Sequence, residues 1–119
     1  MAAPNIVQVS SIFGKTAVAN VTTSSSNIVQ NITNSNAVFK INSLIIANID
    51  GGASADISAS LYRGGFENRI AHTVSVPPDS TIVVISKDTS LYLEEGDAIS
   101  LFGSANGDLW ATCSYEEIK

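Results

Sequence analysis

Apolar residues in this chain recur at every second position, and no window longer than two turns shows them at helical spacing. In residues 55–62, Ile57, Ala59 and Leu61 alternate with Asp56, Ser58 and Ser60. In 69–76, Ile70, His72, Val74 and Val76 share a face opposite Ala71, Thr73 and Ser75. Ile99 and Leu101 flank Ser100, and Leu109, Ala111, Cys113 and Tyr115 oppose Trp110, Thr112, Ser114 and Glu116. A period of two belongs to a pleated strand with one face buried. Ile and Val number 24 against six Leu, and β-branched side chains favour the same geometry. Further strands are expected over 6–12, 16–22, 27–32, 38–49 and 81–86. Turn chemistry separates them at Asp50-Gly-Gly, Arg63-Gly-Gly, Pro77-Pro-Asp, Glu94-Glu-Gly-Asp and Ala105-Asn-Gly-Asp. Asn106-Gly107 is the strongest short hairpin signal among them. About eight strands without helices predict an all-β fold, an antiparallel β-sandwich of jelly-roll-like type.

The 119 residues suffice for one domain, expected over 16–119, with residues 1–15 as a possible N-terminal arm. Hydrophobic residues make up 45 %, which argues against disorder. Charged residues make up only 14 %, where roughly 25 % is usual. Ser, Thr and Asn, at 17, 8 and 10 residues, take the vacant places. Net charge is −5 with six Lys and Arg, a poor match to a nucleic-acid backbone. No apolar run approaches the ~20 residues of a membrane helix, and the first residues lack a signal-peptide pattern. No nucleic acid and no membrane are expected as partners.

Sites of chemistry are sparse, and neither an enzyme nor a cofactor is expected. His72 and Cys113 are the only histidine and thiol, and both fall on the more apolar faces of their strands. The structural reading of each is therefore preferred to a Cys–His pair. No Gly-x-Ser-x-Gly elbow and no phosphate-cradling loop occurs. Glu94, Glu95 and Asp97 surround Gly96 and could offer oxygens to a cation. Their spacing departs from that of Ca²⁺ loops, so a solvated turn is preferred and no metal site is assigned. Asn20-Val-Thr and Asn31-Ile-Thr match glycosylation sequons by chance in a chain rich in Asn and Thr. Trp110, set among Thr112 and Ser114, is expected on an exposed face, where it anchors a protein interface in preference to stacking on a sugar. Tyr62 is a second stacking candidate for a carbohydrate-binding module.

Low charge points instead to association. A sheet face of Ser, Thr, Asn and Ala can be covered by a neighbour without desolvating charges. Such a domain should bury a substantial share of its surface between chains. The candidate interface comprises Pro4, Ile6, Val7, Val9, Ile12, Phe13 and Trp110, the stretch from Pro4 to Phe13 being a docking arm.

The stretches Pro4-Asn-Ile-Val-Gln-Val-Ser and Phe13-Gly-Lys-Thr-Ala resemble small virion structural proteins of tailed phages, cyanophages especially. Similar stretches are Phe39-Lys-Ile-Asn-Ser-Leu-Ile-Ile-Ala-Asn-Ile-Asp-Gly, Val76-Pro-Pro-Asp-Ser-Thr and Val84-Ile-Ser-Lys-Asp-Thr-Ser-Leu-Tyr-Leu-Glu-Glu-Gly-Asp. The likeness reaches Cys113-Ser-Tyr-Glu-Glu-Ile and covers most of the chain, and none of its motifs is catalytic. It implies a non-enzymatic particle component, read here as a capsid decoration or cement protein. Neck, tail and fibre-attachment components are alternatives, with a carbohydrate-binding module behind them. The expected partners are copies of itself, with a trimer favoured by analogy, and the major capsid protein or other virion proteins. The expected location is the virion, after assembly in the host cytoplasm.

Overall fold

The computed structural model describes residues 5–119. Among the described residues nine strands follow one another: β1 Ile12–Asn20, β2 Ser26–Gln30, β3 Val38–Asn48, β4 Ala55–Arg63, β5 Phe66–Val76, β6 Thr81–Ile85, β7 Leu91–Leu93, β8 Ala98–Gly103 and β9 Leu109–Ile118. A single 3₁₀ turn, Lys87–Thr89, joins β6 to β7. Sheet A has the order β1-β9-β3-β6, with β7 also on β3, and sheet B has the order β2-β8-β4-β5. Every pairing is antiparallel. The protein is an antiparallel β-sandwich, and its repeated passage between sheets is compatible with a jelly roll.

The core is the layer that alternation predicts. Ile41, Leu44 and Ile46 of β3 and Leu109, Ala111 and Cys113 of β9 meet Ile57 and Ala59 of β4 and Ile99 and Leu101 of β8. Val21, Val29, Val76, Ile85 and Leu93 close its margins. Stacked sheets lie ~10 Å apart, and short β-branched and small side chains fill that gap without polar atoms. Two buried asparagines fasten the ends. Asn48 Nδ2 donates to the carbonyls of Ala53 and Val76, while its Oδ1 accepts the Asp50 N–H. Asn31 Nδ2 donates to Ala37 and Leu93 carbonyls, and its Oδ1 accepts from Ser35. A side-chain amide can serve two carbonyls and one N–H where chain crossings leave backbone groups unpaired.

Two local expectations are corrected. Residues 6–11 form no strand: Asn5 turns the chain, its Oδ1 and carbonyl accepting the N–H groups of Val7 and Gln8. Ser10 and Ser11 then donate to the Lys119 carbonyl, and regular pairing starts at Ile12. Asn106-Gly107 makes no hairpin, because β8 and β9 lie in different sheets and the turn arches between them. The two-residue hairpin is Gly64-Gly65, both at positive φ, 64° and 83°, between the paired residues Arg63 and Phe66. Two adjacent glycines meet the type I′ requirement without Cβ strain.

Strand β5 also departs from strict alternation. Its eleven residues face nine of β4, the surplus appearing as irregularities opposite Ile57/Ala59 and Ala59/Ser60. Thr73, at φ 47°, sits in one of them. Each extra residue inverts the alternation, so His72 is exposed and Ala71 turns towards the core. The expected common face of Ile70, His72, Val74 and Val76 is therefore broken, and of the four only Val76 is buried.

Candidate functional site

The expected chemical residues are separated or occupied. Cys113 is buried between the sheets, and burial pushes its thiol up to about 11, far from a reactive thiolate. His72 stands exposed on β5 in the other sheet, so its expected burial is corrected. The Glu94–Asp97 turn is an ion-pair staple. Arg63 at the end of β4 grips buried Asp97 through Nε, 3.0 and 3.1 Å from Oδ1 and Oδ2, and through Nη2 at 2.6 Å. The Glu94 N–H also reaches Asp97 Oδ2, and the Glu94 carboxylate lies 2.9 Å from the Arg63 guanidinium. The hydrogen bond to Asp97 holds the guanidinium pKa above its ordinary value. Glu95 accepts the Asn36 N–H. These oxygens knit a hairpin end to the β7–β8 turn, and among the described residues no three His, Cys, Asp or Glu form a ligand set. In the sequons, Asn20 is exposed and Asn31 fully buried.

Of the candidate interface residues, Pro4 lies outside the described residues. Ile6, Val7, Ile12 and Phe13 are exposed and Val9 is half-buried. Trp110 is 44 % exposed. These residues do not form one patch. Ile12 pairs with Ile118 at one end of the β1–β9 ladder, and Asn20 pairs with Trp110 at the other. At ~3.3 Å per residue the ends are about 26 Å apart. Near the first end, Lys15 lies 2.6 Å from Glu117, and that hydrogen bond holds the Glu117 carboxyl below its ordinary pKa.

Register completes the patch around Trp110. One row across the outside of sheet A reads Val18, Thr112, Ile45 and Val83, and the next reads Asn20, Trp110, Ala47 and Thr81. Thr16, Ser114 and Ser43 add a third. Val18 is 71 % exposed and Val83 62 %. Three rows contain no charge, and the first charged pair on this face is Lys40 opposite Glu116. Four strands from distant parts of the chain contribute, so sequence reading located Trp110 and missed Val18 and Val83. The alternation of Ala17, Val18 and Ala19 was the available signal.

Beside this face lies an open edge. Strand β1 pairs with β9 over nine consecutive residues without a break, and among the described residues its far edge pairs with no strand. The other long edges are interrupted: β2 at Asn27/Val29, β5 twice and β6 opposite Leu44/Ile45. Bulges at a sheet edge block further pairing, and β1 lacks that protection.

The outside of sheet B is built differently. Ser58, Ser60 and Ser100 face outward on β4 and β8 yet are buried, because β5 side chains fold over them. Ser58 Oγ accepts the Thr73 N–H, Ser60 Oγ accepts from Arg69, and Ser100 Oγ donates to Glu67. Arg69 lies 5.0 Å above the Phe102 ring. A groove of about 580 Å³ opens beside them, lined by Ser25, Asn27, Gln30, Tyr62, Phe66 and Glu67 among others.

No protein-family model matches the chain, and comparison with curated proteins gives no match. Solved structures do match. A chain of the Bacillus endospore appendages, a family of disulfide-linked pili, superposes with TM-score 0.54 at 14 % identity over 100 % of this chain and 96 % of that one. A chain of the acid-stable capsid of Helicobacter pylori bacteriophage KHP30 gives 0.57 at 6 % identity over 94 % and 90 %. At such identities the likeness establishes a shared fold. Both matched chains come from multi-subunit structures, one a pilus and the other a phage capsid rather than a cyanophage protein.

Proposed function

We propose that this chain is a non-enzymatic structural subunit of a phage particle, docking on the capsid surface as a decoration protein and associating with its own copies. The observation that carries this reading is the charge-free outer face of sheet A around Val18, Ile45, Val83 and Trp110. Covering it costs no charge desolvation and removes four apolar side chains from water. A subunit bound only to the assembled shell stabilises that shell by mass action. The fold shared with a capsid chain and the resemblance of the sequence to virion proteins support the same direction.

In this reading the docking arm is the part of the Pro4–Phe13 stretch that precedes β1, and the unbroken β1 edge of a neighbour receives an added strand. The partners are copies of this chain, a trimer by analogy, and the major capsid protein. The location is the assembled virion. Particle stoichiometry tests the reading: copies in proportion to capsomers are expected, whereas one ring's worth would move the protein to the neck, tail or fibre attachment. Deleting residues 2–10 leaves β1 intact and should abolish particle binding, and unchanged occupancy would rule out the arm.

A filament subunit is the second reading, favoured by the open β1 edge and by the pilus fold match. It would not be a disulfide-linked one, because the single cysteine of the chain is buried in the core. Electron microscopy of the concentrated protein separates the two readings: fibres favour the filament, and discrete oligomers favour decoration.

A further inference from the structure

The open edge of sheet A fits one particular strand. We infer that β1 pairs antiparallel with β1 of a second copy, about a two-fold axis at Thr16, and so joins two A sheets into one. This deepens the reading that copies associate and rests on it: the strand added to the β1 edge is the neighbour's β1. Hydrogen bonds at both ends of the ladder reveal which backbone groups face outward. At one end Ser11 and Lys119 each donate an N–H to the other's carbonyl, and at the other the Val21 N–H donates to the Leu109 carbonyl. Bonds to β9 therefore fall on odd-numbered residues, because an unbroken antiparallel pair alternates bonded and non-bonded positions. Ile12, Gly14, Thr16, Val18 and Asn20 consequently aim their N–H and C=O groups at the open edge, and all five are exposed. A regular row of this length, without bulge or proline, is a template for a further strand.

Gly14 supports a second copy as the occupant. Glycine inside a strand weakens it and often marks a place where another backbone comes close. The fold of the single chain does not require this one: its φ is not positive, and a Cβ built there would meet nothing within 4 Å among the described residues. Two-fold pairing at Thr16 aligns all nine residues of β1 with those of the second copy. Val18, 71 % exposed, then stands opposite Gly14, Phe13 opposite Ala19 and Lys15 opposite Ala17, each a large side chain against a small one. Lys15 is the only charge on the strand and is held by Glu117 at 2.6 Å. Moving the axis back to Lys15 would set the two Lys15 ammonium groups directly opposite each other, which is unfavourable. Moving it forward to Ala17 would shorten the ladder and take Val18 away from Gly14. Directly opposed residues share a face, so the charge-free faces of both copies become one continuous surface. A two-fold contact uses the same edge of each copy and therefore closes.

Cysteine cross-linking of the full chain tests both the contact and its register. Hydrogen-bonded antiparallel pairs have Cα atoms ~5.5 Å apart, within disulfide range, and native Cys113 is buried. In oxidised glutathione, Thr16→Cys should form a disulfide-linked dimer about tenfold or more faster than Ser75→Cys, an exposed control on β5. Ile12→Cys and Asn20→Cys should each fail to cross-link alone and should cross-link when mixed, because the register sets Ile12 opposite Asn20. Thr16→Pro removes an edge-facing N–H and no bond to β9. It should weaken self-association about tenfold or more in light scattering and leave the urea midpoint near that of the native chain. Cross-linking of Thr16→Cys no faster than that of Ser75→Cys, rapid cross-linking of Ile12→Cys alone, or association indifferent to Thr16→Pro would each overturn the inference. The decoration reading fails separately. Deleting residues 2–10 should abolish particle binding under that reading and leave the Thr16→Cys cross-link in place, whereas loss of the cross-link would give the edge to the arm instead.

Discussion

On the outside of sheet A, Thr112 stands in a row with Val18, Ile45 and Val83, and Ser114 in a row with Thr16 and Ser43, Thr112 and Ser114 both being half-buried. On the outside of sheet B, Ser58, Ser60 and Ser100 occupy comparable central-strand positions and are buried and hydrogen-bonded. The same small hydroxyl residue is thus a surface group on one face and an interior bond partner on the other. The difference lies in the edge strand. Strand β5 carries Glu67 and Arg69 and is bulged, so its side chains and a bulge N–H fold onto the serines. Strand β1 is regular and presents Thr16, Val18 and Asn20, all exposed. One face satisfies its polar groups internally and the other leaves neutral surface for a partner.

Matched substitutions should expose this contrast most strongly in stability. Ser58→Ala removes the acceptor of the Thr73 N–H at a half-buried contact, and should cost about 1 kcal/mol in urea unfolding. Thr112→Ala on sheet A should change stability by less than about 0.5 kcal/mol. Equal costs would erase the proposed difference between the faces. Association should respond in the opposite sense. A charge at the centre of sheet A, Val18→Asp with Trp110→Asp, should weaken particle binding and self-association about tenfold or more, on the order of 1.4 kcal/mol. Ser75→Asp on exposed β5 should leave both unchanged. Light scattering and particle co-sedimentation read these outcomes, and equal sensitivity of both faces would remove sheet A as the docking surface.

A smaller effect distinguishes how each sheet holds its glutamate. Glu67 is held below its ordinary pKa first by the hydroxyls of Ser25 and Ser100, and Glu117 first by its hydrogen bond to Lys15. Depressed folded-state values stabilise the protein above the ordinary glutamate value of 4.5 and are lost as pH falls through the folded values. Melting temperature should therefore drop on acidification below about 4.5, and less so for either Glu→Gln variant. Added salt should shrink the Glu117→Gln difference, an ion-pair effect, more than the Glu67→Gln difference. The reverse salt order would show that charge rather than hydroxyl geometry governs Glu67.

Much of the fold was legible because alternation is local. Leu109, Ala111 and Cys113 are inward and Trp110 outward as read, since β9 is a central strand whose pairing with β1 is unbroken. His72 was misplaced because a bulge is set by the partner strand's length, which residues 69–76 do not encode by themselves. Asn106-Gly107 was read as a hairpin because the dipeptide encodes a bend and not the sheet that receives the next strand. The short strand β7 escaped notice, three residues being too few for a period to register. The groove was only partly readable: Tyr62 was singled out, but Phe66 and Glu67 join it through the β4–β5 hairpin, and Asn27 and Ser100 through β2 and β8.

The sequence by itself determined that this is a β protein with a Val- and Ile-lined interior and an unusually uncharged exterior. Those properties follow from side-chain period and composition, which act over two to ten residues. Tertiary structure alone decided which neutral residues stay exposed and which are buried beneath an edge strand. It also decided which edge stays open and which hydroxyls meet the Glu67 carboxylate. The physical reason is that pairing register joins positions up to 106 residues apart, as Ile12 with Ile118 shows at the ladder's end, with Thr16 and Ser114 joined across 98 and Val18 and Thr112 across 94. Local pattern fixes the direction each side chain faces where pairing is regular, as in β9, and only the assembled sheets fix where a bulge inverts it, as in β5, and what each side chain faces.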